Sequence, residues 1–139
     1  MATHTTLNAA DGHQLSAYRA APTAPVMTGL VVLQEIFGVN HHIRSVVDRF
    51  AGDGFIALAP ALFDRVEPGI EMGYEPDDVA RGRETRTKVS MEEALADTQA
   101  AITALNDEGL KVGVVGYCWG GSLAWAAATR LAGVSCAVG

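Results

Sequence analysis

Three short, unbroken apolar runs, at residues 30–33, 55–58 and 112–115, constrain this chain more than any other feature. None alternates apolar with polar residues, so each must be buried on both faces, as strands of a parallel sheet are. Helical patterning separates them. Ile43, Val46, Val47 and Phe50 recur at i, i+3, i+4 and i+7, and Gly52 and Gly54 stand where that stripe should stop. Beyond the second run, which Pro60 closes, residues 61–76 hold Pro68, Gly69, Gly73 and Pro76 and read as a long irregular excursion. The chain is helical again from Asp77, in two pieces. Ser90 and Glu93 have capping-box spacing at the start of the second piece, whose buried face is Met91, Ala94, Leu95, Thr98, Ile102 and Leu105. A tight turn is expected at 116–121, an alanine-rich helix at 122–131 and a further buried strand at 134–138. Near the N-terminus, Asp11-Gly12 marks a hairpin. Strand–helix alternation of this kind gives a doubly wound, mostly parallel α/β sheet with right-handed crossovers and helices on both faces.

Charge and length narrow the class. Lys and Arg total 10 against 16 Asp and Glu, a net charge of −6, which offers no footprint for nucleic acid or an anionic membrane. No apolar run approaches the ~18 residues of a membrane span. The N-terminus shows no cationic stretch leading into an apolar segment, so no secretory signal is read. Two cysteines, Cys118 and Cys136, are too few for a disulfide framework and suit a reducing, cytoplasmic setting. One domain, 1–139, is expected.

Sheets of this type place their chemistry beyond the carboxyl ends of the strands. After the third run comes Gly116-Tyr117-Cys118-Trp119-Gly120, a G-x-C-x-G between strand and helix. That is the nucleophile-elbow pattern with cysteine in place of the commoner serine. The central residue sits in a strained turn, so its neighbours at −2 and +2 must lack a Cβ. Placed at a helix N-terminus, its thiolate is favoured by the exposed amides and the dipole. The Trp119 N–H, next after the nucleophile, would be one oxyanion donor. The alternative is a cysteine in a packing turn or phosphate loop, but the glycines do not fit G-x-G-x-x-G. Glu35 follows the first run, where burial would favour its protonated form and suit it to proton transfer. Taken alone, Glu35 reads more readily as a solvated loop residue. Ile36 occupies the loop that supplies the other oxyanion donor in such folds.

Together, residues 34–40 (Gln-Glu-Ile-Phe-Gly-Val-Asn) and 116–121 (Gly-Tyr-Cys-Trp-Gly-Gly) resemble the dienelactone hydrolases (carboxymethylenebutenolidases) of the α/β-hydrolase fold. The resemblance runs from about Asp11 to the end of the sequence. It implies a small-molecule lactone or ester substrate, an acyl-enzyme on Cys118, and Glu35 holding the resting thiol and taking its proton. The Ile36 and Trp119 amides would form the oxyanion hole. No metal or organic cofactor is implied. An arginine for the substrate carboxylate falls among Arg81, Arg83 and Arg86. Arg81 is the choice, although a solvated basic face accounts for any one of them. Pro60-Ala61-Leu62-Phe63 departs from the usual Pro-Asp-Leu-Tyr of that family and leaves substrate preference open.

The histidines and the end of the chain complete the expectations. His4 lies near a terminus, His13 follows a turn, and His41 and His42 are adjacent, without the i, i+4 spacing of a metal pair. Surface or capping roles are expected for all four. Cys136 reads as an inert small hydrophobe and Trp125 as a packing anchor. In this fold the acid and histidine follow the nucleophile, yet residues 119–139 contain no Asp, Glu or His. The expectation is an α/β-hydrolase domain incomplete at its C-terminal end, weak or inactive alone, with its continuation or a second copy as candidate partners. Two other readings stay open: a ligand-binding α/β domain without turnover, and a thiol redox protein using Cys118 with Cys136 as resolving thiol.

Overall fold

The computed structural model describes residues 1–139. The turn at Asp11-Gly12 joins β1 (Ala2–Asn8) to β2 (Gln14–Ala20) as an antiparallel hairpin. The three apolar runs become β3 (Thr28–Leu33), β4 (Ile56–Pro60) and β5 (Lys111–Gly116), and β6 (Val134–Val138) follows. Sheet order is β1-β2-β4-β3-β5-β6, with β4-β3-β5-β6 all parallel and β2 antiparallel to β4.

Burial on both faces explains the unbroken runs. Val31 and Leu33 of β3 point into one core with Val112 and Val114 of β5, whereas Val32 points into the opposite one. Helix α1 (His41–Gly52) covers the latter face through Ile43, Val46, Val47 and Ala51. On the other face lie α3 (Met91–Asp107), through Ala94, Ala101, Ile102 and Leu105, and α4 (Trp119–Arg130), through Leu123, Ala124 and Ala127. The expected capping box is present: Glu93 N–H donates to Ser90 Oγ at 3.1 Å, and Ser90 N–H donates to a Glu93 carboxylate oxygen at 2.8 Å. Between β4 and α3 stands α2 (Pro76–Thr87), which buries only Gly82 and Thr85. No helix is long and apolar enough to cross a membrane.

Several local expectations are corrected. The turn after β5 is only Tyr117-Cys118, because α4 begins at Trp119 and takes Gly120 and Gly121 into its first turn. Glycine's low helix propensity suggested a loop there, but close packing against β3 outweighs it. Residues 61–76 are irregular, as expected, but they are also packed inward. They form a 3₁₀ turn, Leu62–Arg65, bridge Glu71 to Gly38, and bury Leu62, Phe63, Ile70 and Met72. Strand β6 is an exposed edge rather than a buried strand, and Cys136 is exposed on it. Trp125 anchors nothing here: it is 77% exposed, because the inward stripe of α4 runs through Leu123, Ala124 and Ala127. His13 is half-buried, and its Nε2 has no partner.

An ion-pair cluster ties the hairpin to the other layer. Arg65 donates to both oxygens of Asp97 at 2.8 and 2.9 Å, and to both oxygens of Asp11 at 2.7 and 3.1 Å. The Asp97 side chain is fully buried. Burial raises its carboxyl above the usual value, against the lowering effect of Arg65. Exposed Asp11 is lowered to about 2, first by its Arg65 hydrogen bonds and then by the His13 backbone.

Candidate active site

The elbow is built by backbone contact. Cys118 has φ 56° and ψ −116° and is the one non-glycine residue with positive φ. A side chain rarely adopts that region, so the turn holds strain of the kind that recurs at functional sites. A Cβ on Gly116 would collide with the Gly120 carbonyl, and a Cβ on Gly120 would lie 2.5 Å from the carbonyl oxygens of both Leu33 and Gln34. These are the −2 and +2 positions. Their glycines let α4 start against the end of β3 with the Cys118 side chain exposed. The Trp119 ring is buried and stacks on Phe63 at 5.6 Å, fixing the first turn of α4 to the 3₁₀ turn.

Glu35 sits on the neighbouring strand end. Leu33 pairs with Gly116, and Tyr117 N–H donates to the Leu33 carbonyl at 3.3 Å, so the Glu35 loop and the elbow leave the sheet side by side. Buried Gln34 shapes that loop. Its Oε1 accepts from Leu62 N–H at 3.0 Å, and its Nε2 donates to the Glu35 carbonyl at 3.1 Å. Helix α2 closes the loop's outer side, where a Cβ on Gly82 would collide with the Ile36 carbonyl. The Ile36 N–H donates to no backbone carbonyl of the chain.

Glu35 is half-buried rather than enclosed. Tyr74 Oη donates to its Oε2 at 2.6 Å and accepts from Asn40 Nδ2 at 3.3 Å. Burial, and then the Glu35 hydrogen bond, push the Tyr74 phenol above the usual tyrosine value, with Asn40 pulling the other way. Asn40 also caps α1, accepting from Ile43 N–H at 3.1 Å, and donates to the Met72 carbonyl at 3.0 Å. The Tyr74 ring packs edge-on against Phe37 at 4.7 Å.

The sequence therefore places Cys118, Trp119, Glu35 and Ile36 around two adjacent strand ends. Arg81 lies on α2 beside Gly82. Arg81, Arg83 and Arg86 are all exposed and none makes an ion pair. His41 and His42 are exposed in the first turn of α1. Sequence reasoning missed Tyr74, Asn40 and Gln34. Asn40 carried a legible signal, since a side-chain acceptor three residues before Ile43 is an N-cap pattern. Gln34 did too, as a polar residue directly continuing a doubly buried run. No group of three or more His, Cys, Asp or Glu is arranged to hold a metal ion. A concavity of about 670 Å³ between β1, α3 and the end of α4 contains none of these residues.

Comparison with known proteins bears on the family and the fold. The family model described as the dienelactone hydrolase family matches residues 15–139. A Synechocystis protein assigned as a carboxymethylenebutenolidase is 40% identical over 124 residues, covering 84% of this chain and 49% of its own. The Pseudomonas putida carboxymethylenebutenolidase is 36% identical over 127 residues, covering 86% and 52%. Among solved structures, a Klebsiella pneumoniae protein assigned as a dienelactone hydrolase superposes with TM-score 0.80 at 30% identity, over 94% of this chain and 55% of that one. An esterase of Pyrococcus furiosus, 17% identical, shares the fold with TM-score 0.71 over 98% of this chain and 49% of its own. The chain spans about half the length of the curated relatives it matches.

Proposed function

The chain belongs to the dienelactone hydrolase family, and on that premise we propose that it carries the nucleophile side of a hydrolase acting on lactone or carboxylic ester bonds. The observation that carries this reading is Cys118, strained and exposed at the N-terminus of α4 beside the Glu35 loop. The Cys118 thiol proton passes to Glu35, and the thiolate sulfur bonds to the substrate carbonyl carbon. The resulting oxyanion is held by the Ile36 and Trp119 N–H groups. As the carbonyl re-forms, the carbon–oxygen bond to the leaving group breaks and that oxygen takes up the proton Glu35 received, leaving a thioester on Cys118. Water then cleaves the thioester and restores the thiol. Arg81 is the proposed contact for a substrate carboxylate. Residues 1–139 are proposed as part of one α/β-hydrolase domain. The acid and histidine that complete its triad do not lie among residues 119–139.

The test is a p-nitrophenyl ester mixed with the 139-residue chain. The expected result is a burst of p-nitrophenolate of at most one equivalent, with one acyl mass on the peptide containing Cys118, slower in Glu35→Gln and absent in Cys118→Ser. Acylation of Cys136 to the same extent, or a burst that survives Cys118→Ser, would overturn the assignment.

A further inference from the structure

Tyr74 is 39 residues from Glu35 in sequence, yet its hydroxyl makes the one hydrogen bond that the Glu35 carboxylate accepts. The direction of every bond in this chain of contacts is set from the start of α1. Asn40 Oδ1 is committed to Ile43 N–H, so its Nδ2 must face the Met72 carbonyl and the Tyr74 hydroxyl. A phenol that accepts from an amide has its single proton left to give, and it gives that proton to Glu35 Oε2. The ring is held independently by Phe37. A carboxylate has two oxygens, and here one is pinned while Oε1 accepts from no group of the chain.

We propose that Tyr74 is a positioning residue for Glu35: it fixes Oε2 through the Asn40-directed hydroxyl and so leaves Oε1 free for the Cys118 thiol. This deepens the proposed function and rests on its pairing of Glu35 with Cys118. The consequence is a defined sign. A carboxylate held beside a thiol disfavours the thiolate by like-charge repulsion, so removing or loosening it makes the thiolate easier to form. Substituting Tyr74→Phe keeps the ring and its packing while freeing Glu35 to swing away.

The experiment measures iodoacetamide alkylation of Cys118 against pH, read by peptide mass so that Cys136 does not contribute. The 139-residue chain is used as wild type, Glu35→Gln, Tyr74→Phe and the double variant. Glu35→Gln is expected to move the midpoint of the profile to lower pH. Tyr74→Phe should move it part of the way in the same direction, and the double variant should superpose on Glu35→Gln. A Tyr74→Phe profile that coincides with wild type, or moves to higher pH, while Glu35→Gln moves to lower pH, overturns the role of Tyr74 and leaves the Glu35–Cys118 pairing standing. A Glu35→Gln profile that coincides with wild type removes that pairing and this role together. An equal melting temperature for wild type and Tyr74→Phe is part of the expected result. Superposition of the double variant on Tyr74→Phe rather than on Glu35→Gln overturns the proposal, because Tyr74 would then act on the thiol without Glu35.

Discussion

Replacing Cys118 by glycine should make the protein more stable, although it removes the residue on which the chemistry is proposed to rest. At φ 56° and ψ −116°, a residue with a Cβ is held where glycine is favoured, and such a conformation costs about 1–3 kcal/mol. Glycine relieves that cost but adds freedom to the unfolded chain, worth about 0.4–1 kcal/mol against a residue with a Cβ. The Cys118 side chain is exposed, so little burial is lost. The net expectation is a gain of about 0.5–2 kcal/mol for Cys118→Gly. Cys118→Ala, which keeps the Cβ and the strain, should lie close to wild type. Urea unfolding of the three proteins under reducing conditions measures this, with equal m-values expected and the glycine midpoint highest. In thermal melts the gain corresponds to about 4 °C per kcal/mol for a chain of this size. If Cys118→Gly is no more stable than Cys118→Ala, the turn stores no strain and the elbow is held in place by something other than its glycines.

Gly120→Ala, whose Cβ would lie 2.5 Å from two carbonyl oxygens of fixed backbone, should cost about 3 kcal/mol or more, measured by the same urea midpoints. Arg65→Met leaves the fully buried Asp97 without its counter-charge and should cost about 3–5 kcal/mol, while Arg65→Met with Asp97→Leu should recover much of the loss. The acid limb of stability has two opposed contributions on the same guanidinium. Asp11, lowered from 3.8 to about 2, stabilises above pH ~4 and loses that contribution as pH falls toward ~2, whereas Asp97, raised by burial, contributes most below its unfolded value and loses that as pH rises. Asp97→Asn should therefore abolish the rise in stability that acidification brings just above pH ~4 and leave the fall between about pH 4 and 2, which belongs to Asp11, read as urea midpoints across both ranges. In alkaline ultraviolet titration, Glu35→Gln should lower the midpoint of the phenol that Tyr74→Phe removes, because the carboxylate is one of the groups holding that proton on. An unchanged midpoint would mean the Tyr74–Glu35 bond does not persist in solution.

The strands and helices were legible because their signals are local. Residues 30–33, 55–58 and 112–115 announce two-sided burial by composition alone, and the α1 stripe and the Ser90–Glu93 box lie within a turn or two of one another. Errors arose where tertiary packing overrides propensity. Gly120 and Gly121 are poor helix formers, yet they start α4, because only a residue without a Cβ can stand against the Leu33 and Gln34 carbonyls. Residues 61–76 carry the proline and glycine of a loop, but Ile70 and Met72 are drawn into the core by the bridge from Glu71 to Gly38. The pairing of Arg65 with Asp97 spans 32 residues and leaves no trace in periodicity or composition.

Within the candidate site, the same division between local and distant contacts decides what could be read. The elbow is a five-residue motif whose spacing follows from one turn, so its glycines identify it. Glu35 looked ambiguous alone because a carboxylate at a strand end has no local partner to declare its role. Its partners come from elsewhere: the hydroxyl of Tyr74 from the far end of the 61–76 segment, and the elbow from a strand 83 residues on, brought alongside by the pairing of Leu33 with Gly116. That pairing is close because Gly120 is bare. A larger residue there would push α4 away from β3 and carry Cys118 with it, separating two chemical groups without altering either. The glycine at +2 therefore does two jobs: it permits the strained turn of the elbow and sets how near the elbow stands to the Glu35 loop. Neither group can be placed in the site without the backbone of the other.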